Sequence, residues 1–411
     1  MKTVVCSGTP FEIGFQHGQQ ARTEIQGSID FYTQLFHETS NLSWGEVLQV
    51  AEKALPLLRE NLSQYFDEIN VYRLPATLIH DTSSTTSFPP SSISSPQAIP
   101  ANNPLGISSG STLPFLSILA LNIRTEITYG LSTDGCTALS FTPTPTNTAT
   151  PPSPTTYLAQ NWDWQRAQSP NLIHLRIHQP PKPSIALLTE AGIIGKIGLN
   201  SAGVGVCLNV ITARGVDWRR VPVHLALRSC LDSRSREEAV GRVKGCGVAS
   251  ACHILVADER GGTGLECTYR DVVELGMGAE GAVVHTNHLV RLHEGVEDPL
   301  RWVDSRPRLE RVGELLRDVG REGVGGVERG EGGEVERGEG GGVGRAEGGV
   351  ERGIELILQD EQGWPTSICR QRTETSTVET LFSVVMDLGR KRGRARMGRP
   401  TEAGEEIWLE P

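Results

Sequence analysis

The sequence predicts an α+β fold in which two antiparallel sheets pack against each other and helices cover both outer faces. The first indication is the order of the segments: helical segments come first, many strands follow, a helical pair interrupts them, and further strands close the chain. The second is alternation, because Leu172 to His178 places isoleucine and leucine on one face and histidine and arginine on the other. The third is length, since 411 residues can bury a sizeable core.

The N-terminal part is predicted to be mainly helical. Lys2 to Cys6 forms a short strand, and Phe11 to Phe36 then repeats apolar residues at helical spacing. Helices continue from Trp44 to Ile69 with an interruption at Pro56. A further helix, from Ile118 to Tyr129, is the last element before the first long strand.

The rest of the chain is predicted to consist mostly of strands, because short apolar or alternating runs are separated by turn residues. The predicted strands are Cys136–Phe141, Tyr157–Trp164, Leu172–His178, Ile185–Leu188, Ile193–Leu199, Val204–Val210, His253–Ala257, Gly264–Tyr269, Asp271–Leu275, Ala282–Thr286, Thr377–Met386 and Ile407–Leu409. Helical spacing predicts helices at His224–Leu231, Ser235–Val243, Leu309–Val319 and Ile354–Gln359.

Three tracts of biased composition interrupt this pattern. Residues 82–112 are rich in serine, proline and threonine, which predicts disorder or a long surface loop. Residues 142–156 carry prolines that cannot donate to a sheet, so they are predicted to be a stretched hairpin loop. Residues 320–349 are nearly all glycine, glutamate, arginine and valine, which predicts a flexible segment without a chemical role.

A cysteine directly follows a glycine where the first long strand begins. The thiol of Cys136 can attack the carbonyl of Gly135 if the backbone bends there, and glycine permits the bend because it has no Cβ. Cleavage would give Cys136 a free α-amine with a reference pKa of about 7.7–8.0, which can take the thiol proton near neutral pH. One residue would then be both nucleophile and base. On these residues alone, the simpler interpretation is a small buried hydrophobe.

Short motifs along most of the chain favour the catalytic interpretation. In order they are Gly8–Gly14, His17-Gly18, Leu121–Glu126, Asp134–Thr137, Gln160–Asp163, Glu190–Lys196, Asn200–Val204, His285–His288 and Ser367–Arg370. They resemble the acyl-CoA:6-aminopenicillanate acyltransferase family of fungi and the wider group of autoproteolytic cysteine N-terminal nucleophile hydrolases. The resemblance implies the four-layer αββα fold of these enzymes. It also implies cleavage into residues 1–135 and 136–411, two segments that stay associated.

The resemblance assigns roles to three further residues. Asn287 matches a position that contributes to the oxyanion hole, and Asp163 matches one that can hold the protonated α-amine of Cys136. Arg370 can pair with Asp163 or with a substrate carboxylate. Without the resemblance, Asn287 is better explained as a turn residue, and the Asp163–Arg370 pair as a structural salt bridge.

Trp162 and Trp164 flank Asp163, and the resemblance makes them candidate walls of an acyl pocket, although core packing explains them nearly as well. The implied partners are a small-molecule acyl donor and an amine or water acceptor. No cofactor is implied, while an acyl-CoA is a possible substrate. The alternative is a processing-deficient paralogue that binds or scaffolds, which the insertions ending at Thr112 and starting at Thr142 motivate.

Composition argues against several other classes of protein. A net charge of −10 disfavours general nucleic-acid binding and affinity for anionic membranes. The basic run Lys391–Arg399 alternates with period two and is predicted to be an edge strand with a solvated basic face. Eight cysteines without a C-x-x-C pair indicate neither a disulfide framework nor a metal site, and Cys246, Cys252 and His253 alone are a weak zinc signal.

The ends of the sequence bear on where the protein is expected to act. Met1 to Cys6 has no apolar segment of the secretory type, and Leu113 to Ile123 is too short to span a membrane. These observations predict an intracellular protein. The resemblance suggests fungal secondary metabolism of the penicillin-biosynthesis kind. The last residues, Ile407 to Pro411, are not a peroxisomal tripeptide, which favours the cytoplasm and makes hydrolysis the slightly better expectation.

Overall fold

The computed structural model describes residues 1–70, 106–128, 135–143, 155–299, 303–322, 345–374 and 376–411. The helices are α1 (Pro10–Gln20), α2 (Arg22–Ser40), α3 (Trp44–Glu52), α4 (Leu55–Asn61), α5 (Ser63–Ile69), α6 (Ile107–Ser111), α7 (Phe115–Asn122), α8 (Arg124–Ile127), α9 (Val223–Leu231), α10 (Arg236–Cys246), α11 (Ser305–Glu322) and α12 (Arg345–Leu358). The strands are β1 (Lys2–Ser7), β2 (Gly135–Phe141), β3 (Tyr157–Gln165), β4 (Leu172–His178), β5 (Ile185–Glu190), β6 (Ile197–Asn200), β7 (Gly205–Val210), β8 (Cys252–Asp258), β9 (Gly261–Cys267), β10 (Val272–Leu275), β11 (Ala282–His285), β12 (Val378–Asp387), β13 (Arg392–Met397) and β14 (Glu406–Leu409). Within these described ranges, every helix is too short or too polar to cross a membrane.

The strands form two sheets. One has eight strands in the order β1-β4-β5-β6-β7-β8-β9-β10, and the other has six in the order β11-β2-β3-β12-β13-β14. All neighbours pair antiparallel except β1 and β4, which are parallel, so the predicted all-antiparallel sheet is wrong at this edge. The parallel pair is possible because eight helices and two strands separate β1 from β4 in the chain, which gives ample length for a crossover.

The two sheets pack face to face and helices cover both outer faces. Strands β2 and β3 contact β7 across the sandwich, and β11 contacts β9. Helices α9 and α10 lie on β6 to β9, and α1 and α2 lie against β1 and β5. Helices α11 and α12 cover β11, β3 and β12 on the other side. The structure therefore has the four layers of an αββα sandwich, as predicted.

The nucleophile strand has a different apolar cluster on each face, because side chains alternate along a strand. Cys136 and Ala138 belong to the large core between the sheets. Leu139 and Phe141 belong to a second cluster beneath α11 and α12. Strand β2 is thus covered on both faces, with Cys136 directed towards the inside of the sandwich.

The helices of the N-terminal part are shorter than predicted. The predicted helix Phe11–Phe36 is two helices that meet at Ala21, whose φ of −109° departs from helical geometry. The change of direction lets Gln16 and Gln20 bond the backbone of β1, while α2 packs on the segment after β3. Pro56 does not interrupt a helix but lies in the first turn of α4, where no N–H is needed. The predicted helix Ile118–Tyr129 is also two, α7 and α8, and Tyr129 lies outside the described residues.

The biased tracts are partly ordered at their ends. Residues 107–111 of the first tract form α6, which is buried against α1. Gly14, Gly18 and Gly110 make this contact possible, since a Cβ on any of them would overlap the backbone of the facing segment. Helix α11 extends to residue 322 and α12 begins at residue 345, so both ends of the third tract are helical. Residues 82–105, 144–154 and 323–344 lie outside the described residues.

The remaining differences concern strand ends. The predicted strand Ile193–Leu199 is shorter, because residues 191–196 form a turn before β6. The arginine-rich strand β13 is not an edge strand, because β14 pairs with it on the outer side. Its basic residues are also not simply solvated, since Arg394 pairs with Glu355 of α12 and Arg396 with Glu406 of β14.

Candidate active site

Cys136 is the second residue of β2, opposite Trp162 of β3. Only 1% of its surface is exposed, so the uncut chain holds the thiol inside the sandwich. Its main-chain nitrogen donates to Oδ1 of Asn287 at 2.9 Å. The nitrogen that cleavage would turn into an α-amine therefore already contacts a predicted site residue.

Gly135 begins β2 and lies opposite Asp163. A Cβ at this position would be 3.0 Å from Oδ2 of Asp163 and 3.1 Å from Nε of Arg370. We expected glycine to be needed for a bend. The structure supplies a different physical reason: the backbone here is part of a strand, and a Cβ would be so close to two charged side chains that they would have to shift.

Asp163 is fully buried on the α12 side of β3. Its Oδ1 accepts a hydrogen bond from Thr380 Oγ1 at 2.7 Å, and Oδ2 lies 3.6 Å from Nε of Arg370. Burial raises the pKa of Asp163 to about 6, and Arg370 and Arg308 lower it only in part. A carboxyl that titrates this close to neutrality, beside a candidate nucleophile, is typical of a functional site.

Arg308 was missed by the sequence analysis, although it touches several parts of the site. Nη1 donates to the carbonyl oxygen of Cys136 at 2.7 Å and to Oγ1 of Thr137 at 3.0 Å. Nη2 donates to Oδ1 of Asn287 at 2.8 Å. Arg308 thus contacts the main chain of Cys136 and the side chain of Asn287 with one rigid guanidinium.

Asp304 connects the two arginines and was also missed. Its Oδ2 accepts from Nε of Arg308 at 2.9 Å and from Nη2 of Arg370. Asp163, Asp304, Arg308 and Arg370 therefore form one cluster of two carboxylates and two guanidinium groups. The two negative and two positive charges balance, which stabilises the cluster because a buried ion without a partner lowers the free energy of unfolding.

Asn287 lies just after β11 and is fixed on two sides. Its main-chain N–H donates to Oγ of Ser305 at 2.7 Å, and its Nδ2 donates to the carbonyl oxygen of Val210 at 3.0 Å. Ser305 is the first residue of α11, so this contact places Asp304 and Arg308 beside Asn287. In the uncut chain, the amide oxygen of Asn287 faces Cys136 and the amide nitrogen faces Val210.

Trp162 and Trp164 lie in the core between the sheets and are at most 1% exposed. Their ring centroids are 6.2 Å apart, and Nζ of Lys196 lies 3.5 Å from the centroid of Trp162. The guanidinium of Arg124 lies 5.3 Å from the centroid of Trp164. In this closed state both tryptophans pack in the core, and their role as walls of an acyl pocket stays a prediction.

A surface cleft of about 330 Å³ opens beside Asp304 and Arg308 on the α11 side. Arg311 and Ile368 also line it. The cleft leads from solvent to the charged cluster, whereas the Cys136 side chain is on the opposite face of β2. In the part of the chain that is described, no group of three or more histidine, cysteine, aspartate or glutamate side chains is arranged to hold a metal ion.

The four predicted polar site residues therefore meet in one place. Cys136 contacts Asn287, Asp163 contacts Arg370, and Asp304 with Arg308 joins the two pairs. A signal for the missed pair exists in the sequence, because an aspartate and an arginine four residues apart lie directly before the predicted helix Leu309–Val319. That spacing is common on ordinary helices, so it does not point to a site by itself.

Comparisons with known proteins identify the family of this chain. A family model described as acyl-coenzyme A:6-aminopenicillanic acid acyl-transferase matches residues 150–326. The acyl-coenzyme A:6-aminopenicillanic-acid-acyltransferase 40 kDa form of Emericella nidulans is 31% identical over 410 residues, covering 98% of this chain and 95% of that protein.

Two solved structures are also similar. The Caenorhabditis elegans ortholog of N-acylethanolamine-hydrolyzing acid amidase matches with a TM-score of 0.40 and 17% identity, over 62% of this chain and 93% of its own. Penicillin V acylase from Agrobacterium tumefaciens matches with a TM-score of 0.38 and 13% identity, over 68% of this chain and 79% of its own. Because these TM-scores are low, the family assignment is based on the Emericella nidulans relative. The chain belongs to the acyl-coenzyme A:6-aminopenicillanic acid acyltransferase family.

Proposed function

We propose that this chain cleaves itself between Gly135 and Cys136 and then uses Cys136 as an N-terminal nucleophile for acyl transfer. Membership of the family supports acyl transfer or amide hydrolysis in general. The observation that carries the finer proposal is the contact between the main-chain nitrogen of Cys136 and Oδ1 of Asn287, 2.9 Å long, inside a buried charged cluster.

Self-cleavage would proceed by an N-to-S acyl shift. Sγ of Cys136 attacks the carbonyl carbon of Gly135, the C–N bond breaks, and the thiol proton passes to the departing nitrogen. Water then hydrolyses the resulting thioester, leaving a carboxylate on Gly135 and a free thiol and α-amine on Cys136. Residues 1–135 and 136–411 would remain associated, because α1 and α2 are packed on the eight-stranded sheet.

The mature site would use the new α-amine as its base. With a reference pKa of about 7.7–8.0, the amine can accept the thiol proton near neutral pH. Oδ1 of Asn287 already accepts from this nitrogen, and Arg308 holds the carbonyl oxygen of the same residue. These two contacts would orient the amine and thiol of Cys136 relative to each other.

The acyl step would form a thioester on Cys136. Sγ attacks the carbonyl of an amide or thioester donor, the donor's amine or thiol leaves, and water or a small amine then takes the acyl group. An N–H of the Asn287 side chain, turned from Val210, together with a backbone N–H, would stabilise the oxyanion. Asp163 would balance the charge of the α-ammonium, and Arg370 would pair with Asp163 or with a substrate carboxylate. No step in this sequence needs a cofactor.

The substrate class follows from the family. The Emericella relative is named for transfer from an acyl-coenzyme A to 6-aminopenicillanic acid. We propose for this chain an acyl-CoA or an N-acyl amine as donor, and water or a small amine as acceptor. The closed thiol of the uncut chain indicates that donors reach Cys136 only after cleavage.

A substrate panel with mass spectrometry tests the proposal. Acyl-CoAs, 6-aminopenicillanate, isopenicillin N and simple N-acyl amines are incubated with the purified protein, and the peptide starting at Cys136 is examined for an acyl increment. We expect the increment on Cys136 and its absence in Cys136→Ala. Release of free acid alone would indicate a hydrolase, and a new amide would indicate a transferase. A processed, folded chain that acquires no increment with any donor would contradict the mechanism.

Iodoacetamide separates the enzyme from a binding or scaffold protein. An activated thiolate at the new N-terminus should be alkylated faster than the other cysteines, most of which are buried. Cys246 is the matched control, because it is exposed and has no role in the proposed site. Labelling of Cys136 slower than that of Cys246 in the processed protein would favour the scaffold.

A further inference from the structure

Glu266 of β9 lies outside the charged cluster, yet it holds the segment that carries Asn287. Its Oε1 accepts from Nε2 of His285 at 2.8 Å and from the main-chain N–H of Val290 at 2.7 Å. Its Oε2 accepts from the main-chain N–H of Arg291 at 2.9 Å and from Nε2 of His293 at 3.3 Å. One buried carboxylate therefore receives four donors from residues 285–293, on both sides of Asn287.

Both histidines are restrained at each ring nitrogen. Nδ1 of His285 donates to the carbonyl oxygen of Thr286 at 2.9 Å, and Nδ1 of His293 lies 2.6 Å from Oδ1 of Asp271. Each ring therefore has an oxygen partner at both of its nitrogens, which fixes the orientation of the ring. The hydrogen bonds from these donors lower the pKa of Glu266, against the effect of burial.

The location of Glu266 explains why this arrangement acts on the site. Glu266 belongs to the eight-stranded sheet, whereas His285 ends β11 of the six-stranded sheet. The ring of His253, which faces Glu266 across the β8–β9 pair, stacks on His285 with centroids 3.8 Å apart. The two sheets are thus joined one residue before the turn in which Asn287 reaches Cys136.

We propose that Glu266 is a positioning residue for catalysis: its carboxylate holds residues 285–293 so that the Asn287 side chain meets the main-chain nitrogen of Cys136. The proposal rests on the proposed function of the site. The proposed role of Glu266 is indirect, because its carboxylate bonds residues on both sides of Asn287. A displacement of reacting groups by about 1 Å is enough to lower a rate about a hundredfold.

The Glu266→Gln variant tests this role. Glutamine keeps the shape but turns two acceptor positions into an N–H₂ group that faces other donors. We expect kcat for acyl transfer to fall about 10- to 100-fold, as for other supporting groups, with KM changed by less than about twofold. Glu266→Asp keeps the charge and should recover part of the loss. Glu274→Gln is the matched control, because Glu274 lies on the next strand, is solvent-exposed and pairs with Lys244. It should leave kcat unchanged.

A double-mutant cycle separates positioning from general stability. If Glu266 acts through Asn287, Glu266→Gln should lower kcat by less than about twofold in an Asn287→Ala background. A drop as large as in the wild-type background would overturn the proposal, as would wild-type kcat in Glu266→Gln. If Glu266→Gln fails to fold, Glu266→Asp carries the same cycle.

Hydrogen exchange supplies a readout that does not depend on activity. The amides of Val290 and Arg291 should exchange faster in Glu266→Gln than in the wild type, while those of β8 keep their protection. Unchanged exchange in residues 285–293 would overturn the proposed contact. A wild-type protein that neither cleaves itself nor transfers acyl groups would contradict the proposed function instead, and exchange alone would then decide whether Glu266 holds this segment.

Discussion

Two buried carboxylates near Trp162 differ in how fully their charges are compensated. Glu190 is the last residue of β5 and lies near the face of β3 that carries Trp162. Its carboxylate binds Lys196, Arg124 and Tyr32. Asp163 lies on the outer side, with Thr380 on one oxygen and Arg370 at 3.6 Å from the other. Both are fully buried, so exposure does not distinguish them.

Their pKa values move in opposite directions. Burial would raise the pKa of Glu190, but Arg124, Lys196 and the hydrogen bonds outweigh it and lower the pKa to about 2. Burial raises the pKa of Asp163 to about 6, because Arg370 and Arg308 are shared with Asp304, whose own charge opposes ionisation. From this difference we propose that the Glu190 cluster stabilises the fold, whereas the Asp163 cluster serves the proposed reaction.

The largest expected effect is on stability. Glu190→Gln leaves Lys196 and Arg124 with a neutral partner in the core, which should lower the free energy of unfolding by about 3–5 kcal/mol. Denaturant titration in a Cys136→Ala background avoids interference from cleavage. Glu24→Gln, which removes the surface pair with Lys2, is the control and should cost at most about 1 kcal/mol. Equal small losses in both variants would remove the distinction between the two carboxylates.

Asn287→Ala should give the next largest effect, mainly on the rate of acyl transfer. Loss of an oxyanion donor lowers turnover by a factor of about a hundred or more and largely spares substrate binding. The measurement is kcat and KM for the best donor of the panel. Asn171→Ala is the control, because it removes a side-chain hydrogen bond to Gln168 that is not part of the candidate site. A rise in KM with unchanged kcat would show that Asn287 binds substrate instead.

Asp163→Asn tests the comparison through the pH dependence of the rate of self-cleavage. In the wild type, self-cleavage should slow as the pH falls through about 6, because Asp163 takes up a proton and no longer balances Arg370 and Arg308. The variant is neutral at every pH, so its profile should lack this acidic limb and stay low throughout. Rates are measured by gel or intact mass while uncut precursor, isolated in denaturant before it can cleave, is refolded at each pH. A limb that persists in Asp163→Asn would assign it to another group.

The smallest effect is the dependence of stability on pH, and the two carboxylates should contribute with opposite signs. Asp163 has a higher pKa folded than unfolded, so its contribution improves as the pH falls from about 6 to about 4. Glu190 has a lower pKa folded, so its contribution is full above about 4.3 and is lost as the pH falls towards about 2. Thermal midpoints of the Cys136→Ala protein, measured over a series of pH values with and without Asp163→Asn, test this. The substitution should abolish the gain in stability that Asp163 gives as the pH falls from about 6 to about 4, and should leave the loss due to Glu190.

Much of the fold could be predicted because strand periodicity is local. The paired strands β2 and β3, the alternation in β4 and the helices α9 and α11 follow from neighbouring residues. The parallel pairing of β1 with β4 could not be predicted, because nothing in Lys2 to Ser7 specifies a partner 171 residues away. Helix α6 was missed because its serines and glycines are typical of loops, and only the close approach of α1 explains them.

The candidate site, like the fold, could be predicted from the sequence only in part. Cys136, Asp163, Asn287 and Arg370 were found through motif resemblance, and the structure brings them together. Asp304 and Arg308 were missed because their importance comes from Ser305, which ties the start of α11 to Asn287. The reason for Gly135 could not be predicted from the sequence either, since it depends on the side chains of Asp163 in β3 and Arg370 in a loop.

The central claim is that Cys136 becomes the N-terminus of a cleaved chain, and N-terminal sequencing of freshly purified protein tests it most directly. Wild-type protein should run as two fragments on a denaturing gel, and the larger should begin Cys-Thr-Ala-Leu. The Cys136→Ala protein, folded to the same extent by circular dichroism, should remain a single chain of 411 residues. A wild-type chain that stays intact on long incubation, or cleavage that continues in Cys136→Ala, would contradict the account.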